Sequence, residues 1–270
     1  MRSLFFPTMF FDLLSYLSAS CPPHVRHMDY LSEAIAMRGR YVSNSAAWKP
    51  HHDNSRHVVL SAAEQCRNRS KAVVLGAGLL LDVPLAELSS QFREVVLVDI
   101  VFLPEVRRRI TSCCNVRLLQ YDVTGMARAL YDAIRLGSRH LPEAAPLVPE
   151  LNEAAGLVVS LNILSQLWVI PRAYALKKLP GLDPELIDDW CRQIVKSHYD
   201  YLVSLPCDVC LVADHEFVMR DREERIVSRD STIAGLSLPA PDVSWTWDIM
   251  PKGDERHCSK ELIVGAWHVR

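Results

Sequence analysis

The chain has 270 residues, of which 49% are apolar and 23% are charged, as in a globular protein with one large domain or a domain plus an appendage. Its formal net charge of −2 gives no reason to expect a nucleic-acid backbone as the main partner. The eight cysteines are scattered, and the Cys207-Asp-Val-Cys210 pair lacks the further ligands of a zinc site. We therefore expect no metal and a reduced, cytoplasmic protein.

The N-terminal segment from Met1 to Leu17 is apolar but is interrupted by Pro7 and Asp12. It is too short to cross a bilayer, and no other segment is a candidate, so we expect no membrane span. Its larger apolar residues recur at helical spacing: Phe10, Leu13, Leu14 and Leu17. The pattern predicts an amphipathic helix that packs on the domain, on a partner or on a second copy; a secretory signal is the alternative.

The first part of the chain, residues 1–70, is predicted to form a helical cap on a sheet domain of residues 71–270. Two further helices are expected, with breaks at Gly39 and Pro50: Asp29–Met37 and Ser55–Cys66.

The segment Trp48–Arg56 lies between these two predicted helices and is rich in polar side chains. We interpret it as a lid over the mouth of the sheet, in which Arg56 or Lys49 meets a carboxylate of a ligand. A solvated loop is the alternative.

The segment Lys71–Asp99 is predicted to form a strand, a glycine turn, a helix and a second strand. Its two strands are almost wholly apolar, as in a parallel sheet that is buried on both faces. The turn Gly76-Ala77-Gly78 allows a close approach to the backbone, and Asp82 with Pro84 indicates the start of the helix. Asp99 ends the second strand, where an acid can accept hydrogen bonds from a ribose. The arrangement predicts nucleoside binding; an ordinary βαβ unit is the alternative.

The remaining predicted elements alternate between helix and strand until the last 30 residues. These are predicted to form an antiparallel hairpin because a short polar turn joins their strands. Residues 213–216 are expected just after the fifth strand, and residues 219–237 are expected to be loop-like. The predicted helices are Phe102–Thr111, Met126–Leu136, Leu164–Leu179 and Asp183–Leu205, and the predicted strands are Val116–Tyr121, Gly156–Leu161, Cys207–Val212, Val243–Ile249 and Glu261–Val269.

From Lys71 to the C-terminus, this order and its motifs resemble the Rossmann-like, class I S-adenosylmethionine-dependent methyltransferases. The resemblance implies an α/β fold with a seven-stranded, mostly parallel sheet of order 3-2-1-4-5-7-6, whose last strand is antiparallel. It also implies S-adenosylmethionine as the cofactor and in-line transfer of a methyl group. The sequence departs from the family in having Leu75 where an acid often precedes the glycine turn, and Leu79 in place of a third glycine.

The resemblance carries cofactor roles over to individual positions. Gly76, Ala77 and Gly78 correspond to the glycine motif beneath the methionine portion. Asp99 corresponds to the acid that binds the ribose hydroxyls, and Ile100 to its neighbour beside the adenine. The other positions that the resemblance implies are Asp122 and Val123, in the adenine motif Tyr121-Asp-Val, and Asn162, near the transferred methyl group. Arg56 is predicted to bind the cofactor from its place in the lid, outside the region that the resemblance covers.

A catalytic base is needed only if the acceptor atom carries a proton. The predicted catalytic residues are His215, as a base, and Asn162, as a group that orients the acceptor. Glu216, His51 and His52 are further candidates for the base. Two tryptophans of the hairpin are expected to pack in the core, with a flat wall for an aromatic acceptor as the alternative: Trp245 and Trp247.

The predicted function is therefore methyl transfer to an unidentified small molecule, with no nucleic acid as partner. One alternative is a nicotinamide-dependent oxidoreductase, which shares the glycine turn and Asp99. The third glycine of its fingerprint is missing, because Leu81 lies at that position. The other alternative is a methyltransferase-like protein that binds or scaffolds without catalysis.

Overall fold

The computed structural model describes residues 13–151, 155–253 and 258–269. Helix α1 includes residues 13–18. The other helices are α2 (Pro23–His27), α3 (Tyr30–Gln65), α4 (Leu85–Gln91), α5 (Pro104–Arg109), α6 (Ala127–Arg135), α7 (Val169–Lys178) and α8 (Pro184–Ser204). The strands are β1 (Lys71–Leu75), β2 (Glu94–Asp99), β3 (Val116–Gln120), β4 (Leu157–Leu161), β5 (Asp208–Arg220), β6 (Ile226–Ser231), β7 (Val243–Met250) and β8 (Ser259–Val269).

The strands form one sheet of order β3-β2-β1-β4-β5-β8-β7, and β6 pairs with β5 beside this path. Strands β1 to β5 pair in parallel, whereas β8 is antiparallel to both β5 and β7. The predicted fold class is confirmed, with β8 and β7 in the places of the last two strands. The difference from the prediction is an eighth strand, β6.

The central strands are buried on both faces, which explains their apolar sequences. In β1, Ala72 and Val74 belong to the core beneath α3, α4 and α5. Val73 and Leu75 alternate with them and belong to the core beneath α8. Helices therefore cover both faces of the sheet, so the strand ends are the places left for a ligand.

Helix α3 corrects the prediction of two helices separated by a lid loop. Neither Gly39 nor Pro50 breaks the helix; it kinks instead at Asn44, where φ is −125° and ψ is 18°. The segment Trp48–Arg56 is helical because its buried side chains recur every three or four residues: Trp48, His51, His52 and Ser55. They form one face that packs against the sheet.

Strand β5 corrects the prediction that the fifth strand ends at Val212. It continues to Arg220, and its second half pairs with β6 on one side and β8 on the other. The charged residues that made this region look like a loop form ion pairs instead, as between Glu216 and Arg229 and between Arg220 and Glu261. Cross-strand pairs of opposite charge are compatible with an exposed sheet.

Helix α1 covers only part of the predicted amphipathic helix, because Phe10 lies outside the described residues. Its three leucines are exposed: Leu13, Leu14 and Leu17. Arg26 attaches α1 to α2 by donating hydrogen bonds to the carbonyl oxygens of Tyr16 and Ala19. None of the helices described is both long enough and apolar enough to cross a membrane.

Two glycines provide a matched test of the packing. A Cβ at Gly156, at the start of β4, would overlap the backbone carbonyl of Asn68, whereas one at Gly39 would meet nothing within 4 Å. We expect Gly156→Ala to lower the free energy of unfolding by about 1–3 kcal/mol or more, because backbone must move. Gly39→Ala should raise it by about 0.5–1 kcal/mol through helix propensity.

Urea unfolding followed by circular dichroism measures both changes. Equal effects of the two substitutions would contradict the described contact between Asn68 and Gly156.

Candidate functional site

A cavity of about 680 Å³ lies at the carboxyl ends of β1, β2 and β4. Its floor includes Gly78, Asp99 and Asn162, which lie at or just after the ends of these three strands. Helices α3 and α7 and the residues between α2 and α3 cover it, with side chains that include Met28, Trp48 and Tyr174. The strand order reverses between β1 and β4, and such a reversal is where open α/β sheets bind their ligands.

The glycine turn packs tightly against the end of β4. Gly76 has φ of 83°, and a Cβ there would overlap Ile163 and lie 2.8 Å from the carbonyl oxygen of Leu161. The amides of Gly76 and Ala77 both donate to the carbonyl of Val98, at 2.9 and 3.1 Å. Glycine is required at position 76 because both its backbone conformation and its surroundings exclude a side chain.

Asp99 is held by the turn that it faces. Its Oδ2 accepts a hydrogen bond from the amide of Gly78 at 2.8 Å, and its Oδ1 accepts one from the amide of Val101 at 3.3 Å. Burial raises the pKa of the carboxyl group, and the bond from Gly78 opposes this shift. A carboxylate has about four acceptor positions, so Asp99 retains two for a ligand.

Asp122 lines the cavity together with Val123, and its carboxylate shapes the loop after β3. Its Oδ1 accepts from the amide of Thr124 at 2.9 Å and from the hydroxyl of the same residue at 2.6 Å. Its Oδ2 accepts from the amide of Ala127 at 2.7 Å, at the start of α6. By the same count of acceptor positions, about one remains for a ligand.

Asn162 is the centre of a polar cluster at the end of β4. Its backbone is left-handed, with φ of 53°. Its Nδ2 donates to Asp82 Oδ2 at 2.6 Å and lies 3.4 Å from the hydroxyl of Ser55 and 3.3 Å from His51 Nε2. Its Oδ1 is buried without a hydrogen-bond partner among the described residues. The cluster joins β4, α3 and the loop after β1.

Asp82 corrects a second prediction. Helix α4 begins at Leu85, and no side chain caps it. The carboxyl group of Asp82 instead faces Asn162 and lines the cavity. Burial raises its pKa to about 6, and the hydrogen bond from Asn162 partly opposes this.

The imidazole ring of His51 is neutral, and its hydrogen bonds assign the position of its N–H proton. Its Nδ1 accepts a hydrogen bond from Trp245 Nε1 at 3.1 Å, and its ring stacks on Trp247 with centroids 3.9 Å apart. Burial, followed by the proximity of His52, lowers its pKa to about 3. Since Nδ1 is an acceptor, the proton of the neutral ring is on Nε2, so neither nitrogen is free to accept a proton.

His52 also lines the cavity, and its ring contacts Tyr41 and Trp48. Burial, followed by the charge of Arg56, lowers its pKa to about 4. His52 is therefore a weak base at neutral pH.

Arg56 and Lys49 are not among the residues that line the cavity. The guanidinium group of Arg56 donates to the carbonyl oxygen of Leu81 and pairs with Asp53. Lys49 is exposed and pairs with the same aspartate. The lining also excludes His215 and Glu216, which lie within β5.

The ring of His215 packs edge-on against Trp267, with centroids 5.9 Å apart. Of the ten residues predicted to bind the cofactor or to act in catalysis, the cavity therefore brings together eight and leaves Arg56 and His215 outside: Gly76, Ala77, Gly78, Asp99, Ile100, Asp122, Val123 and Asn162.

Sequence reasoning missed Asp82 and Ser55 as parts of this site. A helical reading of residues 48–62 would have placed Ser55 beside His51, because positions four apart share a face. Asp82 gave no comparable signal, because an aspartate just before a Pro-Leu pair is also typical of a helix start.

The chain has the fold of the class I S-adenosylmethionine-dependent methyltransferases. This assignment of the fold follows from the order of the strands in the sheet. No protein-family model matches the sequence. No curated protein sequence matches it either.

Solved structures of 42 chains are similar to it. They include the DhpI-SAM-HEP complex, at 13% identity and a TM-score of 0.38, covering 90% of this chain and 99% of that one. Another is the 1,6-didemethyltoxoflavin-N1-methyltransferase of Burkholderia thailandensis with bound 1,6-didemethyltoxoflavin and S-adenosylhomocysteine, at 13% identity and a TM-score of 0.32, covering 87% and 89%. A third is the 23S rRNA methyltransferase ErmE, at 10% identity and a TM-score of 0.30, covering 79% and 67%.

Buried neutral histidines should make the protein sensitive to acid. The pKa of His51 is lowered to about 3, and burial lowers that of His198, whose Nε2 lies 3.0 Å from the hydroxyl of Ser160, to about 4. Below pH 6.5 the unfolded chain binds protons that the folded chain does not, so stability falls as the pH falls.

At pH 5 we expect a loss of about 2 kcal/mol for each of these two rings. Asp82 has a raised pKa and acts in the opposite sense, recovering about 1 kcal/mol between pH 6 and 5. Urea unfolding from pH 7.5 to 5 measures the net slope. His198→Gln should reduce that slope whatever its effect at pH 7.5, and an unchanged slope would contradict the neutral state of His198.

Proposed function

We propose that this protein transfers the methyl group of S-adenosylmethionine to a small-molecule acceptor bound in the cavity. The observation that carries the proposal is the pairing of Asp99 with the glycine turn. The carboxylate is fixed by the amide of Gly78 and keeps two acceptor positions that match the two hydroxyls of a ribose.

The other cavity residues fit the same cofactor. Ile100 and Val123 offer apolar contacts to an adenine, and Asp122 has one acceptor position left for its amino group. The backbone of Gly78 leaves room beside the end of β1 for the methionine portion, because a Cβ at this position would meet its nearest atoms only at an ordinary contact distance of 3.9 Å.

The bound cofactor would supply an activated methyl group on a positively charged sulfur. The residues of this chain would align the acceptor with that group and exclude water from it. Asp82 and Asp99 place acidic groups in the cavity, and the histidines of α3 that line it are held neutral. An acidic cavity of this kind favours a cationic ligand.

The region of the cavity beneath α3 supports a small, partly aromatic acceptor. It is lined by Trp48, His52 and Trp247, which offer flat apolar surfaces. Helices α3 and α7 both contribute to its walls, so the acceptor must fit between them.

Asp99→Ala tests the cofactor site. We expect it to weaken binding of S-adenosylmethionine and S-adenosylhomocysteine by about 1–3 kcal/mol, because charge-assisted hydrogen bonds to the ribose are lost. Isothermal titration calorimetry measures the affinities, and NADH is titrated in parallel.

Asp189→Ala is the control, since Asp189 is an exposed residue of α8 that pairs with Arg192. It should leave all affinities unchanged. Binding of NADH, without binding of S-adenosylmethionine or S-adenosylhomocysteine, would show an oxidoreductase. Binding of none of the three would show a protein that does not use S-adenosylmethionine.

A further inference from the structure

Asp82 is an acidic group of the cavity that the cofactor site described above does not use. It lies in the loop between β1 and α4, and it lines the cavity opposite α3. Within the described residues, the side chain that donates a hydrogen bond to its carboxyl group is Asn162, at 2.6 Å. At least half of its acceptor positions are therefore free for a ligand.

The charges around Asp82 do not neutralise it. No ion pair joins its carboxyl group to a basic residue in the part of the chain that the structure describes. Arg56 of α3 acts only at a distance, because its guanidinium group is bound to the carbonyl of Leu81 and to Asp53. Asp99 contributes a second negative charge from the end of β2.

The other candidates for a proton acceptor in this region are weaker. His51 carries its proton on Nε2 and accepts from Trp245 through Nδ1, so it has no free lone pair. Ser55 carries a neutral hydroxyl. The pKa of His52 is lowered to about 4 by burial, whereas burial raises the pKa of Asp82 to about 6. At pH 7, the Asp82 carboxylate is thus the stronger base by about two pKa units.

We propose that the carboxylate of Asp82 faces the transferred methyl group and takes the proton from the acceptor atom, so that the acceptor is a neutral hydroxyl or an N–H group. This inference rests on the proposed methyl transfer. It excludes acceptors that are already anions, such as a carboxylate, because these carry no proton to remove.

The step balances without a further reactant. A lone pair of the acceptor atom forms the bond to the methyl carbon, and the bond between that carbon and sulfur breaks with its electron pair on sulfur. The proton of the acceptor atom moves to an oxygen of Asp82, and from there to water after product release. The positive charge of the sulfonium is thus passed on with this proton, which neutralises the Asp82 carboxylate.

Asn162 is a positioning residue in this scheme. Its Nδ2 holds Asp82 Oδ2 at 2.6 Å, and its left-handed backbone directs the amide toward α3. Ser55 and His51 surround the same amide, so the orientation of the carboxyl group depends on the packing of α3.

The test compares three ligands that share the adenosine and amino-acid portions. S-Adenosylmethionine carries a positive sulfur, sinefungin carries an ammonium group where the methyl group is attached, and S-adenosylhomocysteine carries neither. Affinities for wild type and Asp82→Asn are measured by calorimetry at pH 5.5 and 8.

We expect Asp82→Asn to weaken the binding of sinefungin by about 10-fold or more and the binding of S-adenosylmethionine by a smaller factor. The affinity for S-adenosylhomocysteine should be unchanged. In wild type, the preference for sinefungin over S-adenosylhomocysteine should increase from pH 5.5 to 8 as Asp82 ionises, and the variant should lack that increase. Unchanged binding of S-adenosylhomocysteine also shows that the variant is folded. The control Asp189→Asn, at the exposed position of α8, should resemble wild type.

Equal weakening of all three ligands would place Asp82 at the amino-acid end that they share and would overturn the proposal. Unchanged affinity for all three would overturn it as well. If wild type binds none of the three, the proposed methyl transfer itself fails, which is a different result from either of these.

Discussion

The packing of α3 against β7 is the contact on which the cavity depends. Trp48 Nε1 donates to the carbonyl of Ile249 at 3.1 Å, and His51 stacks on Trp247 while accepting from Trp245. These bonds join residues about 200 positions apart and close one side of the space above the sheet. Because the buried rings pack closely and the Nε1 atoms of Trp48 and Trp245 are hydrogen-bonded, the helix has little freedom to slide or rotate. The face of α3 that places Ser55 beside Asn162 is thereby fixed.

The same contact sets the charge of the site. A protonated His51 would direct an N–H at the N–H of Trp245, so the packing itself opposes protonation of the ring. Neutral histidines leave Asp82 and Asp99 without a cation in direct contact among the described residues. The cavity therefore has an unbalanced acidic character, which a cationic ligand can relieve and an anionic one cannot.

The sequence predicted the elements whose signals are local. Strands β1 to β4 are short apolar runs, and the hairpin of β7 and β8 alternates cleanly, so each could be read without its neighbours. The glycine turn and Asp99 followed from their positions after β1 and β2, because the ends of parallel strands meet at one edge of a sheet. These residues do line one cavity.

The errors concern residues whose structure depends on distant partners. Pro50 is a strong local signal for a break, but the burial of Trp48, His51 and Ser55 against strands far along the chain outweighs the cost of one proline. The second half of β5 carries charged side chains that are mostly half-buried and is paired on both sides by strands far along the chain, so composition suggested a loop. His215 was therefore assigned to a loop at the sheet mouth when it lies within an extended strand.

The identity of the base follows from combining these points rather than from any single residue type. Histidine is the usual choice near neutral pH because its ordinary pKa is about 6.5. Here burial moves both histidines of the cavity away from that value, and the same burial moves Asp82 toward it. Desolvation disfavours the charged form of either group, so it weakens a histidine as a base and strengthens a carboxylate. In a largely apolar cavity where the described residues place no cation in contact with it, an aspartate is the residue that can both remain ionised at pH 7 and accept a proton.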